Sequence, residues 1–108
     1  MNILLINSSA PVNQIIQTCL SGNNITITTN GNIDIPSETD LIIFDIQLMT
    51  NNIINSKIPC IILGSEQDEM LRIYIEKTIA GGDTEVTYIN RPFTCEDLNG
   101  KVSLVIGG

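Results

Sequence analysis

The 108-residue chain contains no histidine. That removes the commonest general base, proton shuttle and metal ligand together. Its three cysteines, Cys19, Cys60 and Cys95, include no CxxC pair. This excludes ordinary zinc-ligand spacing, offers no disulfide framework and predicts reduced, mostly buried thiols. Five basic residues (Lys57, Arg72, Lys77, Arg91, Lys101) stand against twelve acids, for a net charge of −7. They are scattered, whereas a protein that tracks phosphates clusters them, so direct nucleic-acid binding is not expected. No basic segment leads into an apolar core at the amino terminus, and no apolar run approaches bilayer length. A soluble, cytoplasmic module without membrane contact is therefore expected. No cysteine lies beside a plausible base and no acids pair at catalytic spacing, so no enzyme is expected.

What is present describes one globular domain over 1–108, with 43% hydrophobic and 16% charged residues. Asp40-Leu41-Ile42-Ile43-Phe44-Asp45 is the most informative stretch. A continuous apolar run reads as a strand buried on both faces at the centre of a parallel sheet. An acid at its carboxyl end sits where open α/β sheets place their chemistry. Asp45 is thus a phosphoacceptor, a metal ligand or a strand terminator.

Other strands read at Asn2–Ile6, Asn24–Thr29, Pro59–Leu63 and Val86–Ile89. The Ile/Thr alternation of the second and the mixed character of the fifth mark them as edges. Ser9-Ala10-Pro11 caps a first helix whose stripe is Val12, Ile15, Ile16, Cys19 and Leu20, ended by Gly22. Ser65 begins a second, with Asp68 as an approximate capping box and Gly81-Gly82 as its stop. A last helix spans Cys95–Ile106, with Leu98, Val102 and Val105 inward and a costly Gly100 inside it. Gly31–Thr39 contains Pro36 and cannot hold a normal helix, and Met49–Lys57 has room for two turns. Ile33, Ile35, Ile53 and Ile54 must patch that thin face or face a partner. The alternation predicts an α/β fold of three layers, α/β/α and flavodoxin-like. Its five-stranded parallel sheet has order 2-1-3-4-5, with shortened second and third helices.

These residues resemble a response-regulator receiver domain (CheY-like) over nearly the whole length. Leu41–Asp45 matches the family's third strand with its phosphoacceptor aspartate, and Ile58-Pro59-Cys60-Ile61-Ile62-Leu63 matches the fourth. Asn90-Arg91-Pro92-Phe93 stands where the family has Lys-Pro-Phe, and Tyr88 falls at its switch aromatic. The resemblance implies a cis Arg91-Pro92 bond, which proline permits at a cost of about 0.5–1 kcal/mol. The departures are as informative. Receivers hold Mg²⁺ with two adjacent acids after the first strand, where this chain has Asn7-Ser8. The hydroxyl of the fourth strand is replaced by Gly64, with Ser65 one position late, and the lysine is Arg91. With Gln47 these form a degenerate site in which Mg²⁺ would bind weakly.

The favoured expectation is a pseudo-receiver, a phosphorylation-independent regulatory and protein-interaction module in bacterial signal transduction or transcription control. In it Asp45 is chemically silent, Arg91 pairs with Asp45, and Tyr88 packs at the edge because its hydroxyl partner is Gly64. No cofactor is required. A protein partner or homodimer is expected through the fourth helix, fifth strand and fifth helix of the family, here Glu66–Ala80, Val86–Ile89 and Cys95–Ile106. Closure of the last helix at the chain's end suggests the amino-terminal domain of a larger regulator. One alternative is a genuine phosphoacceptor on Asp45. Another is a flavodoxin-like small-ligand binder using Asn7, Ser8, Ser9 and Gly64.

Overall fold

The computed structural model describes residues 1–64, 67–81 and 85–106, with side chains at 75 and 77–81 outside the description. Five parallel strands, β1 (Asn2–Ile6), β2 (Asn24–Thr28), β3 (Leu41–Asp45), β4 (Cys60–Leu63) and β5 (Val86–Ile89), form one sheet. Their order is β2-β1-β3-β4-β5, the expected flavodoxin-like arrangement. Every residue of β3 is buried, as an apolar run at a sheet's centre demands. β4 begins at Cys60 rather than Pro59 because proline has no N–H for the ladder; the Pro59 carbonyl still accepts from Ile42 N–H at 3.0 Å.

Side-chain alternation divides the core in two. On one face Ile3, Leu5, Leu41, Ile43, Ile61 and Leu63 meet Ile16 of α1 (Ala10–Cys19), its C-cap Leu20, and Leu98 and Val105 of α4 (Cys95–Ile106). On the other, Leu4, Ile6, Ile42, Phe44 and Ile62 meet Ile53 of α2 (Asn51–Asn55) and Leu71 and Tyr74 of α3 (Glu69–Gly81). Phe44 and Tyr74 pack edge to face at 5.7 Å. Each fully buried aliphatic side chain contributes about 1.5–3 kcal/mol.

The second face is thin, as expected. Residues 31–39 hold no helix, and only a 3₁₀ turn (Ile46–Leu48) and the short α2 occupy the stretch before β4. Thr50 Oγ1 donates to the Gly31 carbonyl at 2.5 Å and Asn52 Nδ2 to the Ile33 carbonyl at 3.2 Å. These bonds pin the loop so that Ile33 and Ile35 pack on the core, while Ile53 is buried and Ile54 exposed.

Three expectations change. Ile15 belongs to the apolar stripe of α1 but is 48% exposed, and Asn13 takes a buried place instead. α3 starts at Glu69, so Asp68 precedes it as a cap, its Oδ1 accepting from Met70 N–H at 3.0 Å; Ser65 and Gly82 lie outside the described residues. Finally, Cys19 and Cys95 form a disulfide across 76 residues, leaving Cys60 as the free, buried thiol. Spacing along the chain could not show this. The strand order puts α1 and α4 on one face, which brings the end of one helix to the start of the other.

Candidate functional site

The sheet register gathers the candidate residues at the carboxyl edge. Ile6 is in register with Phe44, so Asn7 and Asp45 follow on adjacent strands. Asp45 pairs with Leu63 and Leu63 with Ile89, so Gly64 and the Asn90-Arg91-Pro92 segment continue the row. The Arg91-Pro92 peptide is cis.

Asp45 is 8% exposed and its carboxylate is divided between two partners. Oδ1 accepts from Gln47 N–H at 2.9 Å and so caps the 3₁₀ turn. Oδ2 lies 3.5 Å from Arg91 Nη2. This is a single long contact from a side chain 38% exposed, not the bidentate fork that arginine can offer. The Gln47 backbone, rather than its exposed side chain, is what joins the site.

Asn7 is fully buried. Its Nδ2 donates to Asn13 Oδ1 at 3.0 Å, and Asn13 Nδ2 returns a bond to the Asn7 carbonyl at 3.0 Å. Asn7 Oδ1 is buried and has no hydrogen-bond partner among the described residues. Asn13 was missed in the sequence, where it reads as a polar residue between Val12 and Gln14. Ser8 is exposed, and the Ser9 hydroxyl is spent on the α1 cap, accepting from Val12 N–H at 3.5 Å.

A Cβ at Gly64 would meet Ile46 Cγ2 at 3.4 Å and Leu71 Cδ2 at 3.5 Å, so this point is walled by hydrocarbon. Tyr88 is half-buried against the second core cluster, with Lys101 Nζ 5.8 Å from its ring centroid. Ser65 is outside the described residues.

The donor set does not fit a tightly held Mg²⁺. Asp45 supplies the single charge, already shared with Arg91, and Asn7 Oδ1 is a neutral oxygen where receivers carry an acid. Among the described residues no three of His, Cys, Asp and Glu gather to hold a metal.

No family model and no curated protein matches the chain. Solved structures do. The signal receiver domain of an HD domain-containing protein from Pseudomonas fluorescens Pf-5 aligns with TM-score 0.73 and 19% identity, over 98% of this chain and 94% of that one. A response regulator receiver protein from Pseudoalteromonas atlantica gives 0.72 and 16%, over 100% and 98%. NtrX from Brucella abortus gives 0.75 and 14%, over 98% of this chain but 26% of that one. Identities this low establish a shared fold.

Proposed function

We propose that the chain is a receiver-type regulatory module that acts through protein contacts and does not cycle through an aspartyl phosphate. The observation that carries this reading is the state of Asp45. Both its oxygens are engaged within the protein, by Gln47 N–H and by Arg91. The neighbouring strand end offers Asn7, whose amide N–H is committed to Asn13. Phosphoryl transfer to a carboxylate needs a shared divalent cation to screen the incoming oxygens. One carboxylate paired with a guanidinium screens poorly. Gly64 brings no hydroxyl to the phosphoryl position, which weakens a Tyr88 switch as well.

The partner surface we propose is α3, β5 and α4. Met70 and Ile73 on α3 are each 45% exposed, and Leu104 on α4 is 60% exposed. A cytoplasmic setting belongs to this reading; among the described residues no helix is long and apolar enough to cross a membrane. A reducing cytoplasm would keep Cys19 and Cys95 as thiols. The α1–α4 packing would then rest on Ile16, Leu20, Leu98 and Val105.

Incubation with acetyl phosphate and Mg²⁺, followed by intact-mass spectrometry, tests the proposal. An unmodified mass, and no change on titration with beryllofluoride and Mg²⁺, is expected. A stoichiometric adduct on Asp45 would overturn it in favour of a working phosphoacceptor.

A further inference from the structure

All seventeen charged side chains lie in residues 34–108, and residues 1–33 carry none. That first third builds β1, α1 and the edge strand β2. In a protein of net charge −7, these three elements therefore contribute no charged side chain of their own.

β2 is open along its outer side. Asn24 N–H donates to the Met1 carbonyl and the Thr28 carbonyl accepts from Asn7 N–H, so residues 24, 26 and 28 turn their peptide groups toward β1. By strand alternation Ile25 and Ile27 turn theirs outward. No described residue pairs with those outward groups. Edge strands are ordinarily guarded by lysine, proline or a bulge. β2 has none of these. Its register with β1 runs one to one, and the nearest prolines in sequence are Pro11 and Pro36. Ile27 is 39% exposed.

We infer that β2 pairs antiparallel with β2 of a second copy of this chain. The strand is self-complementary about Thr26. With a two-fold axis there, Ile25 of one copy lies opposite Ile27 of the other. Each such pair exchanges two N–H···O bonds, about four in all. Ile27 is then covered by the other copy's Ile25, and the two Thr26 side chains meet on the opposite face. Charge selects a second copy as the occupant. Two copies at −7 repel through their charged surfaces, and the neutral edge allows the least repulsive approach. The acids near this edge come from the loop before β3: Glu38 lines a hollow with Asn24 and Thr26, and Asp40 accepts from the N–H of Asn2, the register partner of Asn24. The pairing is isologous, so it uses up both β2 edges and stops at two. It is separate from the α3-β5-α4 surface.

Sedimentation velocity on the full chain over a concentration series tests the inference. A reversible dimer is expected, with Ile27→Lys raising its dissociation constant by about tenfold or more, because an ammonium replaces the apolar side chain that the other copy's Ile25 covers. Thr26→Cys, treated with oxidised glutathione, should yield a covalent dimer, since residues facing each other at a non-hydrogen-bonded position lie within disulfide reach. The two thiols are oxidised to one bond while the glutathione disulfide is reduced. Ile73→Cys on α3 should not cross-link. Thr26 is exposed, so its variant reports the pairing even if Ile27→Lys fails to fold. A strictly monomeric protein, a dimer unmoved by Ile27→Lys, growth into fibres, or cross-linking through residue 73 instead of 26 would each overturn the β2 pairing.

Discussion

Asn7 and Asn13 hold each other in a reciprocal pair, Asn7 Nδ2 to Asn13 Oδ1 and Asn13 Nδ2 to the Asn7 carbonyl, both at 3.0 Å. The pair stitches the carboxyl end of β1 to the first turns of α1. It also makes the residue at position 7 a partner in packing. An aspartate there would set a carboxylate oxygen against Asn13 Oδ1, acceptor against acceptor. Restoring a receiver-like acid is therefore a change at two positions, not one.

Asn13→Ala should cost about 1–3 kcal/mol, because it strips partners from a buried N–H and a buried carbonyl. Asn7→Asp should cost a similar amount at neutral pH, through a buried charge facing an acceptor. Urea unfolding of the two single variants and the double variant checks both. The double should cost less than the sum, since either change alone breaks the shared bonds.

Arg91 and Asp45 should separate in a comparable experiment. Arg91→Ala should change stability by less than about 1 kcal/mol, because its contact is single, long and partly solvated. Asp45→Ala removes the cap on Gln47 N–H as well, and should cost about 1 kcal/mol more. Equal losses in thermal or urea unfolding would mean that the ion pair, and not the cap, is the main role of Asp45.

Much of the frame could be read from periodicity. The unbroken apolar runs of β1, β3 and β4 announced a parallel centre, and the Ile/Thr alternation of β2 announced an edge. Those signals are local, set by which faces of a strand are buried. What could not be read depends on juxtaposition. Asn13 looks like an exposed helix residue until the end of β1 is placed beside it. Cys19 and Cys95 look unrelated until α1 and α4 share a face. At the site, the strand tips around Asp45 were legible as positions, but the division of its carboxylate between Gln47 N–H and Arg91 needed coordinates.

Burial pushes the Cys60 thiol up from 9.0 to about 12, a rise only partly offset by a hydrogen bond with Tyr74. The folded chain therefore keeps its proton over a range where the unfolded chain loses it. This contribution is fully present below about pH 9 and is lost as pH rises toward the folded value, so unfolding midpoints should fall between those limits. Cys60→Val should flatten that alkaline decline. At neutral pH, alkylation of Cys60 should be slow in the native protein and fast in denaturant.

Reduction of the Cys19–Cys95 bond should lower stability by about 2–4 kcal/mol, since the bond closes a long loop in the unfolded chain. Cys95 is exposed and Cys19 half-buried, so a dithiol can reach the bond without unfolding. The double variant Cys19→Ser/Cys95→Ser should melt with the reduced protein and ignore added reductant. Native folding should survive in both, because the α1–α4 contact retains Ile16, Leu20, Leu98 and Val105.

Gly31→Ala should be among the more damaging small changes. A Cβ there would run into the backbone carbonyl of Leu48 and lie 2.8 Å from Thr50 Cγ2. A carbonyl in the 3₁₀ segment cannot swing aside as a long side chain can, so the loop from 31 to 35 must lift. Lifting it strains the Thr50 Oγ1 bond to the Gly31 carbonyl and the Asn52 bond to Ile33. Ile33 and Ile35 then lose their seats on the thin face of the sheet. A cost of about 1–3 kcal/mol follows from the overpacking alone. Faster amide exchange in residues 31–35 and 48–53, with β1 and α1 unchanged, would localise the damage to that face. A uniform loss of protection would mean instead that the loop and the sheet unfold as one unit.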